Sequence, residues 1–141
     1  MSPIEIRPIA GAKEREAFIR FAWEIYRDSP AWVPPLLMDR RKLMDREKNP
    51  FYSHAEAEFF LARRGGRIVG RIGAIVNHNH NVEHKDKLGF FGFFECIDDQ
   101  EVASALVRTA KQWLASRGMD AMRGPVSPSV NAVALASGLF S

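Results

Sequence analysis

The sequence predicts an α/β (α+β) fold, a mixed central sheet with flanking helices, and three observations carry that prediction. Residues 88–97 hold Phe90, Phe91, Phe93 and Phe94 and are apolar on both sides, as an inner strand covered on both faces must be. They run into the longest helical period of the chain, residues 98–117, and a short strand at 120–126 follows, which makes a βαβ unit with parallel strands. Upstream, two apolar segments at 56–62 and 67–76 flank Arg63-Arg64-Gly65-Gly66 and read as an antiparallel hairpin, so the sheet is mixed.

Taken in order, residues 4–9 alternate apolar and polar, with Pro8 near the end, and read as a short strand at a sheet edge. The period changes at residues 12–27. Phe18, Phe21, Ala22 and Ile25 share one helical face, while Lys13, Glu14, Glu16, Arg20 and Glu24 lie largely elsewhere. Asp28-Ser29-Pro30 stops this helix, because a proline disfavours helical geometry in the residue before it. An aromatic loop, Trp32-Val33-Pro34-Pro35, leads to a second short helix at 36–47, which ends before Asn49-Pro50. Residues 77–87 read as a polar connection between strands. In the long helix Val102, Leu106, Thr109 or Ala110, and Trp113 form the stripe that Ala105 and Leu114 widen, and Gly118 supplies the left-handed residue past its end.

The 141 residues, 46% of them hydrophobic, suffice for one domain spanning 1–141. Folding a chain of that size removes roughly two thirds of its extended surface from water, so neither disulfide nor metal is needed. Cys96 is a lone cysteine and cannot bridge internally. No apolar run reaches membrane-spanning or signal-peptide length, so the expectation is a cytoplasmic protein with no membrane partner. A net charge of +3 is spread among acidic residues without a single-sign block, which argues against nucleic acid as a partner.

Several groups carry both a chemical and a plain reading. His78, His80 and His84 would approach a metal site if 77–81 extended the strand, since His78 and His80 would then share a face, but Asn and His are also ordinary turn residues. Arg63, Arg64, Arg67 and Arg71 suggest an anion patch or solvated charges at a hairpin tip. The four phenylalanines suggest core before base stacking, and the glycines at 65, 66, 70 and 73 match no phosphate loop.

The phrases Gly65-Gly66-Arg67-Ile68-Val69-Gly70-Arg71-Ile72, Gly89-Phe90-Phe91-Gly92-Phe93-Phe94-Glu95 and Arg123-Gly124-Pro125, with Trp32-Val33-Pro34-Pro35 and Asn49-Pro50-Phe51, resemble an uncharacterised bacterial family of the GNAT acyl-CoA N-acyltransferase superfamily. The resemblance implies that the central strand and its parallel neighbour splay apart, that pantetheine lies between them, and that the pyrophosphate sits at the start of the following helix, where unpaired N–H groups favour an anion. It implies transfer of an acyl group from acetyl-CoA or another acyl-CoA to an amine. The implied cofactor-contacting residues are Phe94, Cys96, Ile97, Gln100, Val102, Ala103 and Asn131, and no metal is implied. Glu95, at the end of the central strand, is the implied base, and Phe93, Phe94 and Cys96 around it would keep water away. Cys96 as a nucleophile is disfavoured, since a lone cysteine in an apolar strand usually packs.

The chain departs from the superfamily in two places. The pyrophosphate loop commonly reads (Arg/Gln)-x-x-Gly-x-(Gly/Ala), whereas Asp98-Asp99-Gln100-Glu101-Val102-Ala103 stands here and only Ala103 fits. Asp98 and Glu101 are spaced as a capping box, which would take the N–H groups a phosphate needs. No tyrosine follows Tyr52, although the superfamily often uses one to protonate the departing thiolate, and the sequence runs only fifteen residues past Val126, so the fold is expected to lack its last elements. Two consequences are expected: an exposed sheet edge able to pair with a second copy, and, as the rival to an enzyme, a catalytically inactive binding or assembly module.

Overall fold

The computed structural model of the chain describes residues 3–28, 41–42 and 44–126. Its elements are β1 (Ile4–Pro8), α1 (Gly11–Ile25), a 3-10 turn (Pro50–Ser53), β2 (Ala55–Arg64), β3 (Arg67–Asn77), α2 (His78–His84), β4 (Leu88–Cys96), α3 (Gln100–Ser116) and β5 (Ala121–Val126). The strands form one sheet in the order β1-β2-β3-β4-β5. β1 to β4 pair antiparallel, and β4 pairs parallel with β5. The sheet is mixed and the phenylalanine-rich strand is an inner one, as the apolar pattern predicted.

Each face of the sheet carries its own core. Phe18 and Ile19 of α1 pack with Phe59, Leu61, Ile75, Phe90 and Phe93 on one face. Val102, Leu106, Ala110 and Leu114 of α3 pack with Phe60, Ile72, Ala74 and Val76 on the other; of the stripe read from the sequence Ala110 takes the third place and Trp113 packs only partly against this core. The two clusters explain why β2 from Phe59 to Ala62 and β3 from Val69 to Asn77 are buried at every position: successive residues face opposite, covered sides of the sheet.

Two expectations change. Residues 77–87 are not only a connection: β3 runs on to Asn77, whose side chain accepts the N–H of His80 at 3.0 Å and starts α2. Buried Asn77 and His80 explain the helix, and a segment so short shows no apolar stripe in the sequence. The helix expected at 36–47 lies largely outside the described residues. Of its second half, residues 41, 42 and 44 are helical, after which the Asp45 carboxylate takes the N–H groups of Glu47 and Lys48 and the helix stops short of residue 47. None of the helices among the described residues is long and apolar enough to cross a membrane, which says nothing of a strand-built barrel.

Candidate active site at the bulge of the fourth strand

Strict alternation from Phe90, which faces α1, would turn Phe93 and Glu95 toward α3. A bulge prevents it. Arg71 pairs with Glu95 and Gly73 with Gly92, so β4 has one more residue than β3 between those pairs, and Phe93 takes a left-handed φ of 54°. The extra residue shifts the phase: Phe90 and Phe93 lie in the α1-side core, while Phe91, Phe94 and Cys96 pack on the α3 side. Left-handed geometry at a non-glycine costs about 1–3 kcal/mol. Edge-to-face contacts of Phe93 with Phe18 and Phe59, both at 5.6 Å between ring centroids, offset it.

The same shift brings Glu95 to the α1 side, where Tyr26 closes the helix. The Tyr26 N–H is bonded to Ala22 O at 3.0 Å, and the hydroxyl donates to Glu95 Oε2 at 2.5 Å. That bond to the carboxylate, together with burial and the carboxylate's charge, pushes the Tyr26 phenol up to about 12. Arg71, directly across from Glu95 in the sheet, is 5% exposed. Its Nη1 donates to the carbonyl oxygens of Phe18 at 2.7 Å and Ile19 at 3.3 Å, and its guanidinium lies over the rings of Phe18 and Phe93. A carboxylate, a phenol and a guanidinium thus converge beside the bulge, on the face away from α3.

On its other margin β4 pairs with β5 from Leu88 and Ala121 to Gly92 and Val126, the last of the described residues. β5 comes close at Gly124, where an added Cβ would stand 2.5 Å from the carbonyl oxygen of Phe91. Phe94, Cys96 and Ile97 are half-buried, and the Ile97 N–H is spent on Val69 O at 3.0 Å. Burial raises the Cys96 thiol, with the charges of Glu95, Asp99 and Asp98 adding to it, which is the reverse of what a nucleophilic cysteine needs.

At the start of α3 the cap is Asp99, one residue later than the capping box read from the sequence. Its carboxylate accepts the Glu101 N–H at 2.9 Å and also serves the Val102 N–H. Arg64, at the end of β2, pairs with Asp99 at 2.8 Å and with Glu101 at 3.5 Å. The Asp99 carboxyl is held below its ordinary range, first by Arg64 and also by these backbone donors. Gln100 Nε2 donates to Ser104 Oγ, the Val102 side chain is wholly in the core, and the Ala103 N–H goes to Asp99 O. Asn131 lies outside the described residues.

Of the four arginines read as solvated charges at the hairpin tip, only Arg67 is exposed: Arg63 pairs with Glu14, Arg64 with Asp99, and Arg71 is core. The histidines divide because 78–84 is helical. His78 pairs with Glu56 at 3.1 Å, whereas His80 and His84 bring their rings to 4.6 Å. Among the described residues no group of three or more His, Cys, Asp or Glu side chains is placed to hold a metal ion. Sequence reasoning missed Tyr26 and the inward role of Arg71. The available signal was an arginine inside an otherwise apolar strand, which a core accepts only when its donors are used.

Residues 16–136 match the family model for the acetyltransferase (GNAT) family. Protein YghO of Escherichia coli (strain K12) is 35% identical over 126 residues, which is 89% of this chain and 32% of that protein. The bacterial ceramide synthase of Caulobacter vibrioides (strain NA1000 / CB15N) is 36% identical over 129 residues, 91% of this chain and 34% of the relative. The chain therefore spans about a third of the length of the curated relatives it matches. In fold it is similar to the aminoglycoside N-acetyltransferase AAC(6')-Iy in complex with CoA, with a TM-score of 0.60 at 17% identity, covering 99% of this chain and 86% of the other.

Proposed function

The chain belongs to the acetyltransferase (GNAT) family, and from that premise we propose that it carries a site for passing an acyl group from acetyl-CoA or another acyl-CoA to an amine, with Glu95 as the base. One observation carries the reading: the bulge in β4 turns Glu95 out of the α3-side core and toward Tyr26. An amine acceptor is favoured by the name of one relative, a ceramide synthase, since a ceramide is an amide.

Acyl-CoA supplies the activated thioester carbonyl. An ammonium acceptor gives one proton to the Glu95 carboxylate and becomes a free amine, whose lone pair forms the C–N bond. As the C–S bond breaks, its electron pair leaves on sulfur. The second nitrogen proton ends on the thiol, and Glu95 returns its own proton to solvent. Arg71 stands across the sheet from half-buried Glu95, with its guanidinium over the rings of Phe18 and Phe93, and bounds the site on its inner side.

The fit to the donor is uneven. The half-buried stretch of Phe94, Cys96 and Ile97 suits an extended pantetheine, but the first amides of α3 already serve the Asp99 carboxylate. That self-capping favours a second reading, a catalytically inactive GNAT-like binding or assembly module. Thiol release from a series of acyl-CoAs with long-chain amines and aminoglycosides as acceptors, beside calorimetric titration with each acyl-CoA, separates the two. The enzyme reading expects turnover that Glu95→Gln lowers by about 10²- to 10⁴-fold without loss of donor binding. Absence of both turnover and binding at millimolar acyl-CoA would sink it.

A further inference from the structure

We propose that Tyr26 is a positioning residue for Glu95: its hydroxyl fixes one carboxylate oxygen, so that the other alone faces the amine. The inference rests on the reading of Glu95 as base, but it draws on separate geometry, a side chain brought from the end of α1 across 69 positions of sequence.

A strand-end carboxylate turns about its own side-chain bonds and would otherwise sample several rotamers. The Tyr26 hydroxyl, 2.5 Å from Oε2, selects one. The helix that carries the tyrosine is itself fixed: Arg71 donates to the carbonyls of Phe18 and Ile19, about two turns before Tyr26, and Phe18 lies edge-on to Phe93 in the bulge. Carboxylate, tyrosine and bulge are therefore parts of one packed unit. The phenol remains a donor throughout, since it holds its proton to about 12. No proton passes through Tyr26; the acceptor's proton goes to the carboxylate oxygen that Tyr26 leaves open.

Tyr26→Phe keeps the ring and deletes the donor. With the enzyme turning over its best acyl-CoA and amine pair, the expected result is a kcat lowered roughly tenfold to a hundredfold, the scale of one hydrogen bond to a charged group, with the KM for acyl-CoA within about twofold. The loss falls on kcat and not on KM, a split that a general loosening of the fold would not give. In a Glu95→Gln background, Tyr26→Phe adds no further loss. If Tyr26→Phe perturbs folding, difluorotyrosine at position 26 retains shape and bond and is expected to keep the parent kcat. An unchanged kcat for Tyr26→Phe, beside a Glu95→Gln variant that is inactive, overturns this inference and leaves the base standing. A fully active Glu95→Gln removes the base, and the inference with it.

Discussion

The guanidinium of Arg71, in the middle of the sheet, lies 2.7 Å from the carbonyl oxygen of Phe18 and 5.1 Å from the ring of the same residue. One cation thus satisfies the backbone of α1 and packs on its side chain, which fastens the helix to β3. Arg71→Ala removes these donors and leaves a cavity among Phe18, Phe93 and Glu95. The expected cost is about 3 kcal/mol, read as a lowered urea midpoint with little change in slope. Arg71→Lys restores only part of it, because an ammonium cannot spread across two carbonyls and two rings. A midpoint within error of the parent protein would show that α1 is held by its apolar face alone.

Gly124 and Phe91 set how closely β5 approaches β4. An alanine at 124 would press against a backbone oxygen at 2.5 Å, which moves only if the strands part. At Gly89 the nearest atoms, at 2.5 and 2.8 Å, are the methyl carbons of Leu114, which have rotamer freedom. Gly124→Ala is therefore expected to lower stability by about 1–3 kcal/mol and Gly89→Ala by less. Thermal melts of the two variants decide the order, and the reverse order would mean that β5 is loosely seated.

Asp99 gives a prediction with opposite signs in two measurements. Asp99→Ala deletes the carboxylate that serves Glu101 N–H and Val102 N–H and frees Arg64 from its 2.8 Å partner. The melting temperature should fall, because the helix loses its cap. Acyl-CoA binding should tighten on the order of fivefold, the scale of one charge at a helix terminus. Calorimetry beside a thermal melt checks both. Weaker binding by the variant would place the phosphates away from the start of α3.

How much of this was legible follows from the range of each interaction. The order of strands and the stripe of α3 are set by apolar periodicity, a local property, and both appear in the residues themselves. The pairing of Tyr26 with Glu95 depends on a bulge that adds one residue to β4, and no spacing in Gly89-Phe90-Phe91-Gly92-Phe93-Phe94-Glu95 says where the extra residue falls. Phe93 even disguises it, since a left-handed position would ordinarily advertise itself by glycine. The shift of the helix cap from Asp98 to Asp99 has a similar origin: two adjacent aspartates are equivalent by pattern, and Arg64, from another strand, decides between them. α2 stayed hidden because its reason for existing is the burial of Asn77 and His80, a tertiary fact.

His80 supplies the last prediction. It is 1% exposed, neither ring nitrogen has a hydrogen-bond partner among the described residues, and its ring meets His84 and the edge of Phe90. Burial lowers its pKa below the ordinary 6.5; the charges of His84 and Arg123 act in the same direction, and Asp86 and Glu83 oppose them. The folded state thus prefers neutral imidazole, while the unfolded chain takes up a proton near 6.5. The unfolded state binds more protons in acid, so stability is fully present above about 6.5 and declines as the pH falls from there toward the lowered folded value. His80→Phe, which keeps an aromatic against Phe90, should flatten that decline and leave the neutral-pH midpoint nearly unchanged. Urea unfolding at several values from 7.5 down to about 5 tests this. Glu16, held near 2 first by its hydrogen bond with Arg41, titrates in a lower window and does not confuse the comparison. Parallel curves for the two proteins would show that the buried imidazole takes up its proton as readily in the fold as in water.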